Sequence, residues 1–294
     1  MRSAVFARYS HNSGVLVMKM KKYLNLYYFI GALSCPLMLF LSWGLSSRVF
    51  EYLIRNTRTE LGGSQAEFVI SWGFSNCMIN GFAIMQLVLP LLAILFSFGF
   101  IRLCDGYYSN AKPRAKRFSA LICKDILLIS LSAAAALYLG FLLFYLFGAV
   151  SHPIVIDENY SRSFLNDVFG EGFSWKNPLG YFLIEGIYKY VIFPFVYCVF
   201  ACTVYFYFRK KYMSIIVPVG YYVALSVISG TLAEPLYGTF AGEILKALRP
   251  SNMLMMGAES RNIPVWYPLI SLIPPTIASI VFFIKGMQNE KKFG

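Results

Sequence analysis

The sequence predicts an all-α, polytopic membrane protein with six transmembrane helices and both termini in the cytoplasm. Of its 294 residues, 58% are hydrophobic and only 14% are charged, whereas about a quarter of the residues in soluble domains are charged. Apolar runs without charges recur at lengths that cross a hydrocarbon core of about 30 Å. Basic residues are concentrated in alternate connections between these runs, which is typical of cytoplasmic loops.

The apolar runs divide a single transmembrane domain, residues 1–294, into six spans. We expect the spans at about 24–44, 79–103, 126–150, 187–208, 212–232 and 264–284. Two of the runs are longer than one crossing requires. Residues 68–103 would measure about 54 Å as a helix, and residues 179–208 about 45 Å. We therefore expect residues 68–78 to lie at the outer interface, before the second span begins.

The orientation follows from the charges between the spans. The segments assigned to the inside carry 17 basic residues, whereas those assigned to the outside carry 8. Acidic residues show the opposite bias, because only Asp105, Asp125 and Glu290 fall on the inside. Short basic loops stay in the cytoplasm, so this distribution places both termini inside.

Glu185 and Lys189 are the exception to the absence of charge within the apolar runs. They are four residues apart, so they would lie on one face of a helix. The pair could form a functional site within the membrane, since buried charges in spans often do. The excess length of this run favours another interpretation, in which the pair lies near the outer headgroups and neutralises itself. Glu234 would also lie near the outer interface.

The residues needed for common catalytic chemistry are missing from the sequence. It contains no HExxH, GxSxG or glycine-rich nucleotide motif, and both histidines, His11 and His152, lie outside the expected spans. We therefore expect no enzymatic activity, no bound metal and no cofactor on this chain. Cys198 and Cys202 are expected to pack within a helix. The net charge of +12 is better explained by anionic lipid than by nucleic acid.

The connection at residues 104–124 stands out, because six basic residues lie within or beside it. From the second span onward the sequence resembles permease subunits of type-2 ABC exporters. In that family the second span ends with an acidic residue and a glycine, and an arginine and a lysine then lead into the third span. The matching residues are Asp105, Gly106, Arg117 and Lys124. NPLGYFL at the start of the fourth span and Val217-Pro218 in the fifth also fit.

The resemblance implies a permease that works with separate ATP-binding subunits. Two such subunits would hold ATP and Mg²⁺, and a second permease chain, identical or different, would complete a dimer. The connection would form a coupling element whose tyrosine pair fills a groove on the ATPase. The outer segment at residues 233–262 would be re-entrant or interfacial, and its apolar residues 240–248 would suit a short re-entrant helix. The coupling residues implied are Asp105, Gly106, Tyr107, Tyr108, Asn110, Arg114, Arg117 and Lys124.

The expected function is export of an amphiphilic substrate, such as a peptide antibiotic or drug, across a bacterial cytoplasmic membrane. Residues 109–111 depart from the family, which commonly has a threonine-containing turn there, and the N-terminus lacks the usual acidic residue. The alternative is an ATP-independent membrane protein that confers resistance or immunity to a peptide or drug. A lipid-modifying enzyme is disfavoured by the missing catalytic groups. The connection itself could also be a solvated basic loop held by lipid headgroups.

Overall fold

A computed structural model describes residues 26, 28–47, 73–111, 118–156, 162–233, 235–236, 238–254 and 264–292. These residues form helices and connections without a β-strand, so the predicted all-α class is confirmed. The helices are α1 (Tyr28–Ser46), α2 (Phe74–Leu95), α3 (Ser97–Ala111), α4 (Phe118–Ser151), α5 (Asn166–Phe169), α6 (Phe173–Lys176), α7 (Pro178–Ile187), α8 (Phe193–Phe208), α9 (Met213–Ala233), α10 (Phe240–Leu248), α11 (Tyr267–Ile270) and α12 (Ile273–Lys292). A π-helix, Tyr188–Ile192, joins α7 to α8, and a 3₁₀ turn, Pro250–Met253, follows α10.

Within the described residues, six helical stretches are long and apolar enough to cross a membrane, as the sequence predicts. The helices that contain the second, third and fourth spans begin before the span starts predicted at 79, 126 and 187. Each of these helices begins five to nine residues earlier than expected. The spans are Tyr28–Ser46, Phe74–Gly106, Phe118–Ser151, Pro178–Phe208, Met213–Leu232 and Tyr267–Glu290.

The second span begins early because its first turn packs inside the bundle. Phe74 is fully buried, and its ring lies edge-on to those of Tyr145 and Phe182. Its backbone N–H donates a 2.9 Å hydrogen bond to the carbonyl of Pro153, which ties the second span to the far end of the third. Residues 74–78 are therefore already helical and packed against other spans, while their expected position at the outer interface stays a prediction. Residues 68–72 lie outside the described residues.

The fourth span begins at Pro178 because the local sequence favours a helix start there. The side-chain oxygen of Asn177 accepts a 3.1 Å hydrogen bond from the N–H of Gly180 and so caps one free donor of the first turn. Proline at the first helical position has no N–H to leave unpaired. Glu185, which precedes the predicted start at 187, consequently lies within the same apolar helical stretch as Lys189.

The fourth span is the centre of the bundle, since α8 packs against the second, third, fifth and sixth spans. Phe193, Tyr197, Cys198 and Cys202 of α8 are fully buried, which confirms the packing role predicted for the two cysteines. The first span instead packs against the third at Gly140. A Cβ there would lie 2.7 Å from Cβ of Cys35, so only glycine permits this approach.

Between the fifth and sixth spans, α10 covers Phe240–Leu248, the segment in which a short helix is expected. The Thr239 hydroxyl caps it by accepting a 3.1 Å hydrogen bond from the N–H of Gly242. Phe240 is 83% exposed and Ile244 is also exposed, which leaves an apolar face that nothing in the described chain covers. The re-entrant placement of this helix stays a prediction.

Candidate functional site

The candidate site is a set of side chains that joins the ends of five helices around Asp105. This carboxylate lies in α3, at the end of the second span. Its Oδ1 accepts a 2.7 Å hydrogen bond from the hydroxyl of Tyr205 in α8. Its Oδ2 lies 2.9 Å from Nζ of Lys211, in the turn that leads into α9. One carboxylate therefore connects the second, fourth and fifth spans.

The turn between α8 and α9 contributes a second connection. Arg209 ends α8 in the left-handed conformation, with φ of 56°, and its N–H donates a 2.8 Å hydrogen bond to the carbonyl of Tyr205. Its guanidinium contacts the Glu290 carboxylate near the end of α12. The guanidinium carbon also lies 4.7 Å from the centre of the Phe206 ring. The sixth span is thus connected to the same turn that Asp105 contacts.

A third connection lies at the base of the hairpin formed by α3 and α4. The hydroxyl of Tyr108 donates a 2.7 Å hydrogen bond to Oδ2 of Asp125. The tyrosine ring is only 3% exposed and packs edge-on against Phe118, with ring centres 5.7 Å apart. Burial, and then the Asp125 carboxylate, raise the pKa of Tyr108 well above its usual range. The hydroxyl therefore stays protonated and acts as a donor.

These contacts differ in what they contribute. The side chains of Asp105 and Lys211 are 45% and 65% exposed, and exposed ion pairs stabilise a fold by only about 0–1 kcal/mol. Tyr205 and Tyr108 are almost completely buried, and each donates to a carboxylate. Hydrogen bonds to charged groups contribute about 1.5–3 kcal/mol. The tyrosines therefore fix the positions of the helix ends, while the exposed lysine can separate from Asp105 at little cost.

The structure brings together only part of the predicted coupling set. Asp105 and Tyr108 take part in the contacts above. Gly106 lies between them with open space where a Cβ would be, and Lys124 is exposed on α4. Tyr107 and Asn110 belong to α3, but their side chains are not among those described. Arg114 and Arg117 lie outside the described residues.

The predicted connection at 104–124 is mostly helical, since α3 extends to Ala111 and α4 begins at Phe118. The tyrosine pair is expected to fill a groove on an ATPase, but Tyr108 is already packed within its own chain. Its ring contacts Phe100 as well as Phe118. Changing Tyr108 would therefore alter the base of the hairpin before it altered any outer surface.

The sequence patterns do not single out five members of this site: Asp125, Tyr205, Arg209, Lys211 and Glu290. The positions of the acidic residues would have indicated some of them. Asp105, Asp125 and Glu290 are the three acids assigned to the inside, and each of them contacts a donor. When one side of a membrane protein has many basic residues and only a few acidic ones, those few acidic residues are candidates for contacts that join helices.

A second candidate lies at the far end of the fourth span, where Glu185 and Lys189 form a buried ion pair. Their side chains are 0% and 3% exposed, and Nζ of Lys189 lies 2.7 Å from Oε1 of Glu185. The ammonium also lies 4.0 Å from the centre of the Phe82 ring, a favourable cation–π distance. The pair neutralises itself inside the protein, and its position near the outer headgroups stays a prediction.

The backbone is irregular where this pair lies. Lys189 belongs to the π-helix Tyr188–Ile192, in which the usual helical hydrogen bonds are shifted by one residue. Single π turns inside α-helices are frequent at functional sites. The Tyr190 ring of the same turn stacks on Phe141 of the third span at 4.8 Å and 11°. The ion pair therefore lies at a point of tight contact between the third and fourth spans.

Comparison with models of known protein families finds no match, and no curated protein and no solved structure shows significant similarity to this chain.

Proposed function

We propose that this chain is the membrane-spanning permease subunit of an ATP-driven ABC exporter. It would work as one of two permease chains, identical or different, with two copies of a separate ATP-binding subunit. The substrate class that fits is an amphiphilic peptide antibiotic or drug. The proposal builds on the sequence resemblance and on the six apolar helices of the fold.

The observation that carries the proposal is the placement of Asp105. It ends the second span, precedes the basic connection and contacts Tyr205 and Lys211 from two other spans. A partner that pushes on this connection would act on the fourth and fifth spans through one carboxylate. A solvated loop held only by lipid headgroups has no need for such contacts.

The hairpin of α3 and α4 supports a mechanical role. The third span alone has 34 residues, or about 51 Å of helix, whereas a bilayer with its headgroups is about 40–45 Å thick. The hairpin therefore extends beyond the membrane on at least one side. The Tyr108–Asp125 hydrogen bond closes its base, leaving only residues 112–117 between the two helices. Two helices joined in this way move as one arm.

In the proposed mechanism, ATP binding brings the two ATP-binding subunits together beneath the hairpins. Each hairpin transmits that displacement through Asp105 to the turn at Arg209–Lys211. The fourth, fifth and sixth spans then tilt together, because Arg209 also connects to Glu290. Substrate moves between the inner and outer faces as the spans tilt.

The test is reconstitution in liposomes with and without a cognate ATP-binding subunit. We expect no ATPase activity from the chain alone, and a copurifying complex with two permease chains whose ATPase is stimulated by substrate. Asp105→Ala should leave the complex assembled but reduce the stimulation, while the control Lys285→Ala should not. Export or resistance that persists without any ATP-binding subunit would overturn the proposal and favour the ATP-independent alternative.

A further inference from the structure

A shallow groove of about 480 Å³ runs along the outside of the bundle between α4 and α8. Its walls include Ala120, Cys123, Lys124, Leu127 and Leu131 of α4 and Phe195 of α8. The α4 residues repeat every three to four positions, so they form one continuous face of that helix. This groove is separate from the contacts around Asp105.

The lining has the chemistry of a lipid site. Every wall residue is apolar except Lys124, and Leu127 and Leu131 are 46% and 57% exposed. From Lys124 to Leu131 the helix rises about 10 Å, which is about two thirds of one leaflet of a hydrocarbon core of about 30 Å. The groove therefore has the length and polarity to hold the headgroup-proximal part of one acyl chain.

Lys124 provides the charge in this groove, one helical turn from Ala120. It is exposed, and none of the ion pairs among the described residues includes it. The neighbouring carboxylate, Asp125, instead accepts a hydrogen bond from Tyr108 on another side of the helix. The exposed ammonium of Lys124 therefore favours an anion at this level of the groove.

We propose that this groove binds an anionic glycerophospholipid, with one acyl chain along Leu127, Leu131 and Phe195 and the phosphate at Lys124. Because the groove has a cation at the headgroup level, we expect it to bind an anionic lipid more tightly than a zwitterionic one. The phosphate of phosphatidylcholine is accompanied by a fixed positive charge, which Lys124 repels. The site requires only that the chain spans a membrane, so it does not depend on the proposed export function.

The experiment is native mass spectrometry of the purified chain in detergent with dioleoyl phosphatidylglycerol or dioleoyl phosphatidylcholine at equal concentration. We expect preferential retention of one phosphatidylglycerol, with about a fivefold loss in Lys124→Gln, since a lysine near a lipid surface contributes on the order of 1 kcal/mol. Lys124→Arg should retain the lipid. Lys285→Gln removes an exposed charge from the sixth span and serves as the matched control.

A second variant tests the acyl groove separately from the charge. Leu131→Trp places a bulky side chain in the groove while leaving Lys124 in place, and it should reduce retention of phosphatidylglycerol without changing the thermal unfolding midpoint measured in lipid-free detergent. Inorganic phosphate should not compete for the site, because it has no acyl chain. Equal retention of phosphatidylglycerol in the wild type, Lys124→Gln and Leu131→Trp would overturn the proposal, as would equal retention of the two lipids.

Discussion

The hydroxyl of Tyr108 donates a hydrogen bond of 2.7 Å to Asp125, and this bond joins the two helices on either side of residues 112–117. The donor is 3% exposed, so its ring and hydroxyl are shielded from water. The contact turns a basic connection into the closed end of a helical hairpin. Its strength decides whether the two helices move together.

Tyr108→Phe tests the hydrogen bond alone, because phenylalanine keeps the ring packing against Phe100 and Phe118. The Asp125 carboxylate would lose its donor, and leaving such a group unsatisfied costs about 1–3 kcal/mol. We expect a lower thermal unfolding midpoint in detergent and, in the proposed complex with ATP-binding subunits, weaker stimulation of ATPase activity by substrate. Tyr207→Phe is the matched control, since the described contacts of Tyr207 are ring contacts with Phe208 and Phe282. Equal midpoints for wild type and Tyr108→Phe would contradict the prediction.

The buried pair of Glu185 and Lys189 predicts strong coupling between two substitutions. Removing one partner leaves an unpaired charge inside the bundle, at a cost of about 3–5 kcal/mol. We therefore expect Glu185→Gln and Lys189→Met each to lower the yield of folded protein sharply. The double variant should recover most of it, because a buried pair replaced by neutral side chains costs little.

The measurement is the monodisperse fraction in size-exclusion chromatography, compared as a double-mutant cycle. The i,i+3 pair of Glu243 and Lys246 provides the control, since both side chains are partly exposed. Its single variants should change the fraction only slightly. Additive losses at Glu185 and Lys189 would show that the two charges do not depend on each other.

His152 predicts a dependence of stability on pH. Its side chain is 6% exposed beside Trp43 and Phe147, and burial lowers its pKa below the usual value, with a smaller opposing effect from the Gly148 backbone. The folded state then binds fewer protons than the unfolded state below about pH 6.5. Stability should therefore fall as the pH decreases through 6.5, until the lower pKa of the folded state is reached.

The check is the unfolding midpoint of the detergent-solubilised chain at pH 7.5, 6.5 and 5.5. His152→Gln should reduce the decrease in midpoint between pH 7.5 and 5.5. His11→Gln is the matched control, since the sequence has only these two histidines. A decrease of the same size in the wild type and in His152→Gln would assign the pH dependence to other groups.

The predicted orientation can be tested with single cysteines at exposed, described positions. Val168 in α5 and Lys210 in the turn after α8 lie at opposite ends of the fourth span, and Val168 is 59% exposed. In a background with Cys104 and Cys123 changed to alanine, an impermeant thiol reagent added to intact cells should label Val168→Cys. It should label Lys210→Cys only after lysis. The reverse pattern would invert the topology.

The number of spans and the helical class follow from the sequence, because a long apolar run without charges can satisfy its backbone hydrogen bonds in a membrane by forming an α-helix. Helix ends were harder to predict, because hydropathy measures apolar character along the chain and contains no information on contacts such as those of Phe74 with Tyr145 and Phe182. Glu185 shows the same difficulty. A charge near one end of a long run is equally compatible with headgroups and with a protein interior, and only the packing of Phe82 and the π turn distinguishes them.

The candidate site was predictable only in part. Asp105 and Tyr108 belong to a recognisable local pattern, but their partners Tyr205 and Asp125 are 100 and 17 residues away in sequence. Tyrosine is common in this chain, with 21 residues, so composition does not single out Tyr205. The site depends on which helices become neighbours, and that information is spread over the whole apolar pattern.

The sequence separations of these contacts have a consequence for synthesis of the chain at the ribosome. Tyr108 meets Asp125 as soon as the third span has been made, so the hairpin can close early. Asp105 must wait for Tyr205, and Arg209 must wait a further 81 residues for Glu290. These ends of the spans are therefore joined in chain order, and a nascent chain that stops before the sixth span leaves Arg209 without the Glu290 carboxylate. Synthesis of the sixth span completes the last of these connections.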